Sequence, residues 1–398
     1  MKHMKTIAVI SAACLVFTGM TAALPASADF AAAADAVETK TAKSVSFDEA
    51  TGTLTLSGNV DRDEVMDYRQ NEAVKKVICA KGTVLPPVCA YMFNDCCAET
   101  IDLTNADTSN VENMNYMFSG ASAKTIDLSR FNTSKVTDMY GLFYACQEIT
   151  ELDLSSFDTS KVKDMTFLFA SCPKLASLNI SSFDTSNVTV MSSMFAYCKG
   201  LTSLDLSSFS TSKVREMGGM FMCCSGLTAL DLSKFDTSAA TDMGMMFYGC
   251  SGLKTVYASE RWQFSVPLPH SRNIYAGCST LVGGNGTKAS DLGNSLEYVR
   301  IDKKDAPGIL TYKEAPAPLK GDFDGSGSVS IEDAQHVLSS YTRDVAGLES
   351  TLTAQQKTAA DVDGNGSVSV EDAQYILRYY TEKNVAGKMI RWTDIVKS

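Results

Sequence analysis

Residues Leu152 to Ser177 read LDLSSFDTSKVKDMTFLFASCPKLAS, and near-copies of this text begin at Ile126, Leu178, Leu204 and Leu230. The starts from Ile126 to Leu230 follow one another at 26-residue steps, a more divergent copy opens at Ile101, and weaker ones begin near Val77 and Val256. A fixed period in this range marks a stacked repeat, in which one unit cannot bury its own apolar face and needs neighbours above and below it. Leu152-Asp153-Leu154 alternates inward and outward as a strand does, and Phe157 follows as a core anchor. Asp158-Thr159-Ser160 offers turn chemistry through short side chains that bond nearby backbone. Val162 then leads into Met165-Thr166-Phe167-Leu168-Phe169, whose spacing fits a short helical turn ending near Cys172. The expected coil is a strand, a turn, a second short strand, a helical turn and a return loop. Its Met and aromatic residues read as core. Stacked about seven to eight times, such coils form one elongated, β-rich solenoid over residues 77–313.

The text before the array differs. Lys2 and Lys5, an apolar run from Ile7 to about Leu24, and Ala26-Ser27-Ala28 have the layout of a secretory signal over residues 1–28, with the mature chain starting at Asp29. Cys14 raises the competing reading of a lipid anchor, against which stand Ser11 three residues before it and an apolar run that continues past it. No later run is long enough to span a bilayer. Loss of Lys2 and Lys5 takes the net charge from -11 to -13, which argues against nucleic acid as a partner. Residues 29–43 are Ala-rich and read as a flexible lead. Over 44–76 the alternation Ser44-Val45-Ser46-Phe47, a turn to Gly52 and Thr53-Leu54-Thr55-Leu56 predict a hairpin that covers the open apolar end of the stack.

Twelve cysteines in an exported chain would suggest a disulfide framework. However, Cys146, Cys172, Cys198, Cys224 and Cys250 recur every 26 residues at one repeat position, with Cys96 and Cys278 at the corresponding place. Equivalent side chains of stacked coils point in parallel and do not converge, so a ladder of small buried thiols is expected. Cys96-Cys97 and Cys223-Cys224 are adjacent pairs, and the second member of each is the expected reactive thiol. Two acidic rows also follow the period. Asp102, Asp127, Asp153, Asp205 and Asp231, interrupted by Asn179, face outward; Asp138, Asp164, Glu216 and Asp242 lie three residues from Lys135, Lys161 or Lys213, which are expected to offset them. Such rows are either solvated faces or a groove for a cation or a polyhydroxylated ligand.

The FDTSKVKDM and FDTSNVTVM variants and the MF-x-x-C ending resemble the repeats of BspA-like leucine-rich-repeat surface proteins, over about residues 44–313. The resemblance implies a right-handed solenoid used for adhesion or protein contact, and it assigns no binding residues because ligands vary within the family.

Ala315-Pro316-Ala317-Pro318 lies in a Pro-rich linker, residues 314–319, expected to be extended. Beyond it, GDFDGSGSVSIEDAQHVL from Gly321 is repeated 39 residues later as ADVDGNGSVSVEDAQYIL from Ala360. Counted as twelve-position loops, these place Asp322, Asp324, Ser326, Ser328, Ser330 and Asp333 at positions 1, 3, 5, 7, 9 and 12, and Asp361, Asp363, Asn365, Ser367, Ser369 and Asp372 in the second loop. Calcium needs hard oxygen ligands wrapped around it, and Gly327 or Gly366 at position 6 permits the sharp turn between them. Position 7 is expected to ligate through its carbonyl and position 9 through water, with Asp in place of the usual Glu at position 12. Two calcium ions are therefore expected.

Each loop leads directly into a helix, with no helix expected before it. Ile331, Ala334, Val337, Leu338 and Tyr341 are assigned to one apolar face, and Val370, Ala373, Ile376, Leu377 and Tyr380 repeat it. This small all-α duplication over 320–387, followed by a tail at 388–398, is similar to type I dockerins, which plug extracellular proteins into the cohesins of cellulosome scaffolds. The resemblance implies that loop positions 10 and 11 with the following helix carry cohesin choice: Ile331, Glu332, Val337 and Leu338 in one half, and Val370, Glu371, Ile376 and Leu377 in the other. Ile331-Glu332 and Val370-Glu371 depart from the hydroxyl pair of many members, which leaves the cohesin type open.

The reading is a secreted, non-catalytic, cellulosome-type component, monomeric before docking. Its dockerin binds a scaffold cohesin in calcium, and its repeats bind a protein, glycan or cell-surface ligand in the setting of plant polysaccharide breakdown. One alternative is a dockerin-borne glycoside hydrolase with paired acids. The acids recur as ladder positions, though, and the mature chain's two histidines, His270 and His336, lie in no nucleophile motif. The other alternative is a freestanding adhesin, for which the calcium duplication would be unnecessary.

Overall fold

The computed structural model describes residues 43–263, 271–315, 319–325, 328–347, 352, 354–386 and 388–396. The signal segment, most of the lead, His270, Ser326 and Gly327 lie outside the described residues. Contacts divide the chain into Met1–Lys43 and Ser44–Ser398, and everything below concerns the second unit.

Strand β1 (Val45–Asp48) pairs antiparallel with β2 (Thr53–Leu56), which opens the stack as the alternation predicts. A short helix, α1 (Arg62–Met66), adds to this cap, and its Glu64 accepts both the amide and the hydroxyl of Ser44 at 2.8 Å. From β2 onward the strands are parallel: β3 (Lys76–Cys79) joins β2, then β5 (Thr100–Asp102) and β7 (Thr125–Asp127) follow. The short strands β4 (Thr83–Val84) and β6 (Ala106–Asp107) pair across the next side of the coil. Later pairs are β8 (Glu151–Asp153) with β9 (Ser177–Asn179), and β10 (Ala229–Leu232) with β11 (Thr255–Ala258) and the closing β12 (Thr311–Tyr312). Register follows the repeat text, with Ile101 opposite Ile126, Leu152 opposite Leu178 and Leu230 opposite Val256. Further round the coil, the expected second strand is reduced to a single bridge per turn, running Asp164, Val190, Glu216, Asp242.

The segment expected as a helical turn is a run of closed turns. Amides of Met165, Phe167, Phe169 and Ser171 reach carbonyls of the next coil at 2.7–3.1 Å, while those of Leu168 and Ala170 bond three residues back in the same coil. This alternation requires a left-handed residue every fourth position, such as Phe167 (φ 57°) and Ser171 (φ 63°). At Gly141, also left-handed, a Cβ would stand 2.4 Å from the Tyr116 ring of the preceding coil, so only glycine fits.

Three internal ladders hold the coils together. Phe93, Phe118, Phe143, Phe169, Phe195, Phe221 and Phe247 stack at 5.5–5.9 Å between centroids with planes within 12°. Buried threonines form the second: Thr133, Thr185, Thr211 and Thr237 each donate to a carbonyl of the next coil at 2.7–2.9 Å and accept the amide of that same residue at 2.7–2.9 Å. One hydroxyl thus satisfies a donor and an acceptor that no backbone group reaches. Cysteines form the third. Cys146, Cys172, Cys198, Cys224, Cys250 and Cys278 donate S–H to the carbonyl of a core phenylalanine one coil back, at 2.9–3.1 Å. All eleven cysteines among the described residues are free. Burial holds Cys172, Cys198 and Cys224 far above the usual thiol range, so they stay protonated donors. In the pair Cys223-Cys224 the expectation is reversed. Cys224 is the buried ladder thiol, and Cys223 is the half-buried one.

The acidic rows are turn caps. Asp102, Asp127, Asp153, Asn179, Asp205 and Asp231 each accept the amide two residues on at 2.9–3.3 Å. Asp138, Asp164 and Asp242 do the same at 2.7–3.0 Å. Hydrogen bonds from the Ser155 hydroxyl and amide hold Asp153 below the ordinary carboxylate range. The expected offset by lysines is replaced by other bonds: Lys135 and Lys213 reach the side-chain carbonyls of Asn110 and Asn187 in the preceding coil. At the far end, buried Asp302 closes the stack by accepting from the Asn285, Thr287 and Gly308 amides and the Thr287 hydroxyl at 2.6–3.1 Å.

Candidate calcium centres and docking face

The duplicated C-terminal text builds two loops that each end on a helix N-terminus. Helices α2 (Ile331–Val345) and α4 (Val370–Tyr380) begin at Ser330 and Ser369, and each start is a capping box closed by Asp333 or Asp372. That box fixes the position-12 carboxylate. Asp333 accepts the Phe323 and Asp324 amides at 2.7 and 3.1 Å through one oxygen, and the Ser330 amide and hydroxyl at 2.7 and 2.9 Å through the other. Asp372 repeats the set with Val362, Asp363 and Ser369 at 2.8–3.4 Å. Both carboxylates are fully buried.

Around them, Asp322, Asp324 and Asp333 bring carboxylate oxygens within 4.8 Å of one another, and so do Asp361, Asp363 and Asp372. Burial, opposed by the backbone bonds and reinforced by the charge of Asp324, holds Asp333 above the ordinary carboxylate range. Three carboxylates so close form a hard, anionic oxygen set, which fits a hard dication. In the second loop Asp361 accepts the Gly364 and Gly366 amides at 2.8 and 2.9 Å, with left-handed Gly364 and Gly366 making the turn. Asn365 lies on Asp363, and its side-chain oxygen takes the Ser367 amide at 2.8 Å. Ser328 and Ser367 are exposed, and the hydroxyls of Ser330 and Ser369 are engaged by Asp333 and Asp372.

Helices α2 and α4 pack through Val329, Ala334, Val337, Ala360, Val362, Ala373 and Ile376 with Phe323. Val337 and Ile376, assigned to the cohesin contacts in the sequence reading, are fully buried in this core and are unavailable to a partner. The reason is geometric. Successive helix residues lie 100° apart, so of Val337 and Leu338 only one can face inward. Ile331, Leu338 and Leu377 are 40–45% exposed, Glu332 and Glu371 are exposed, and Val370 is half-buried. Val345, 70% exposed, extends the outer stripe of Ile331 and Leu338 by another seven residues.

Two further expectations are corrected. A helix, α3 (Ala354–Ala360), does precede the second loop. The segment expected as a tail folds back as α5 (Trp392–Val396): Trp392 stacks on Tyr379 at 4.1 Å and 7°, and Ile395 is fully buried. At Gly321, where the module begins, a Cβ would meet that indole at 2.4 Å. The two ends of the module are therefore clasped.

Comparison with known proteins agrees with this division. Residues 88–178 and 168–276 match the family described as Mycoplasma protein of unknown function, DUF285, and residues 320–380 match the Dockerin type I domain. No curated protein matches the chain. Among solved structures, a leucine-rich repeat protein from Bacteroides ovatus overlaps at 16% identity, covering 69% of this chain and 91% of that one, with a TM-score of 0.26. One from Eubacterium ventriosum overlaps at 14% identity, covering 58% and 79%, with a TM-score of 0.24. A leucine rich cell surface protein from Faecalibacterium prausnitzii overlaps at 13% identity, covering 62% and 99%, with a TM-score of 0.19. The chain is thus a repeat solenoid joined to a calcium-loop module. Residues 88–276 are similar to that repeat family, and residues 320–380 to the type I dockerin, the class of calcium-binding module that engages cohesins. Among the described residues no helix is long and apolar enough to cross a membrane.

Proposed function

We propose that this protein is a secreted, non-catalytic component of a cellulosome-type assembly. Its dockerin, over 320–387 with the clasping helix beyond, binds two calcium ions and docks on a scaffold cohesin. Its repeats, over 77–313 and capped by 44–76, present a surface to a protein, glycan or cell-surface ligand during plant polysaccharide breakdown. The observation that carries the reading is the pair of carboxylate triads, each within 4.8 Å and each locked to a helix start. With calcium bound, Asp322, Asp324 and Asp333 in one loop and Asp361, Asp363 and Asp372 in the other hold the ion. Asn365, Ser367 and the first loop's Ser326 and Ser328 complete the sets, with Ser330 and Ser369 one layer further out. Without it, six carboxylates repel, and the helices lose their common start. Ile331, Glu332, Leu338, Val370, Glu371 and Leu377 then form the contact surface.

The test mixes the full chain with type I cohesins in calcium and in chelator. A complex that forms in calcium and dissociates in chelator is expected. Binding that persists in chelator, or in Asp322→Ala combined with Asp361→Ala, would sink the mechanism.

A further inference from the structure

Residue 210 breaks a rule of the array. The residue preceding each ladder threonine is an acid or amide at Asp107, Asn132, Asp158, Asp184 and Asp236, and each accepts the amide two residues on at 2.9–3.0 Å. In the coil that starts at Leu204 this position is Ser210. Asp107, Asn132 and Asp158 are exposed and Asp184 and Asp236 half-buried, whereas Ser210 is 5% exposed. Its hydroxyl donates to the carbonyl oxygen of Gly325 at 3.2 Å. Gly325 belongs to the first calcium loop, beside Asp324.

The chain between array and dockerin leads to this contact. After β12 the Lys313 amide bonds Ala258 of the last coil at 2.8 Å, and its ammonium pairs with Asp231 one coil further back. Ala315 is buried. Ser210 lies one more coil back along the same direction. The described residues on both sides of the linker, Lys313 and Gly325, thus contact coils behind the last one. The two loops also differ in burial: Asp322 is 4% exposed, whereas its twin Asp361 is half-buried.

We propose that the surface at Ser210 is a seat for the dockerin's own first loop. The serine supplies the donor that the Gly325 carbonyl accepts. It also removes a carboxylate from the one place where a loop carrying three carboxylates comes to rest. The seat makes the two halves of the duplication unequal, since the Gly325 carbonyl of the first loop is bonded to the repeats. The inference stands on its own contact and does not depend on cohesin binding.

The test compares full-length wild type with Ser210→Asp, which restores the residue of neighbouring coils, and with Asn132→Asp, which adds the same charge three coils away. Tryptic cleavage after Lys320 and the radius of gyration from small-angle scattering are read in calcium. Ser210→Asp is expected to speed cleavage by about tenfold and enlarge the particle, as loss of one net hydrogen bond plus repulsion requires. Asn132→Asp is expected to change neither. Wild-type cleavage as fast as that of Ser210→Asp, or equal behaviour of the two charge variants, overturns the seat. If circular dichroism shows that Ser210→Asp disturbs the coil, Ser210→Ala decides. It should speed cleavage by about fivefold, and no change would overturn the proposal.

Discussion

The threonine ladder gives the most exacting test of why the coils adhere. Thr185 is 1% exposed, donates to the Ser210 carbonyl at 2.7 Å and accepts the Ser210 amide at 2.8 Å. Thr185→Val keeps the shape and the β-branch and removes only the hydroxyl. Two buried backbone groups then lose their partner, at about 1–3 kcal/mol each, offset by roughly 1 kcal/mol from burying a methyl in place of a hydroxyl. A net loss of about 1–5 kcal/mol follows, about 3 kcal/mol at mid-range. Thr137, whose hydroxyl lies on the exposed coil surface at 3.4 Å from the Glu112 carbonyl, serves as the control, and Thr137→Val should fall within about 0.5 kcal/mol of wild type. Because a stack of coils need not unfold in one step, amide hydrogen exchange is the better assay than a melting midpoint. The Ser210 amide should exchange on the order of 30-fold faster or more in Thr185→Val, with distant coils little changed. Unchanged protection at Ser210, or a stability loss no larger than that of Thr137→Val, would refute the argument that the hydroxyl replaces missing backbone pairing.

Other expectations follow from the same geometry. Alkylation of the native protein should label Cys97 and Cys223 and spare the ladder thiols; rapid modification of Cys198 below pH 9 would contradict its protonated, buried state. Burial raises Asp302, but the bonds from Thr287, Gly308 and Asn285 outweigh it and hold its carboxyl below the ordinary range. Its contribution is therefore present above the unfolded value of about 3.9 and lost as pH falls through the lower folded value. Asp302→Asn should accordingly lower stability at pH 7 and narrow the difference from wild type below about pH 3, read by denaturant midpoints at each pH. In the dockerin, Leu338→Asp and Leu377→Asp should weaken cohesin binding by tenfold or more, on the order of 1.4 kcal/mol, without lowering the melting temperature. Val337→Ala should instead destabilise the module by about 1–3 kcal/mol. The opposite pattern in titration calorimetry and thermal melts would reverse the inside and outside of α2.

The repeat period, the strand at Leu152 and the core role of Phe157 and Phe169 are legible in the chain because they are written into local spacing. The bonds of Thr185 and Cys198 are not, since each partner lies 25 to 29 residues away and nothing nearby in sequence marks it. The outward acids were visible as rows, but their purpose as turn caps appears only when the amide two residues on is seen to point at them. The carboxylate loops could be counted out by position. Which neighbour of the pair Val337-Leu338 faces the core could not, because two adjacent apolar residues satisfy either choice. Helix α3, AQQKTAA, carries no apolar stripe to announce it, and the clasping helix near Trp392 is too short to show a period.

The likeness of the coils to one another has a cost during folding. In the middle of the array every coil offers the same ring, hydroxyl and thiol to whichever neighbour arrives, so a chain docked one coil out of step would find nearly all its contacts satisfied. Apart from single positions such as Gly141 and Ser210, the distinguishing information lies in the end pieces: the β1–β2 hairpin with Ser44 on Glu64 at one end and the Asp302 knot at the other. Correct alignment of several hundred residues is thereby delegated to two small termini, and an error there would be felt as a trapped, slipped stack and not as a local defect.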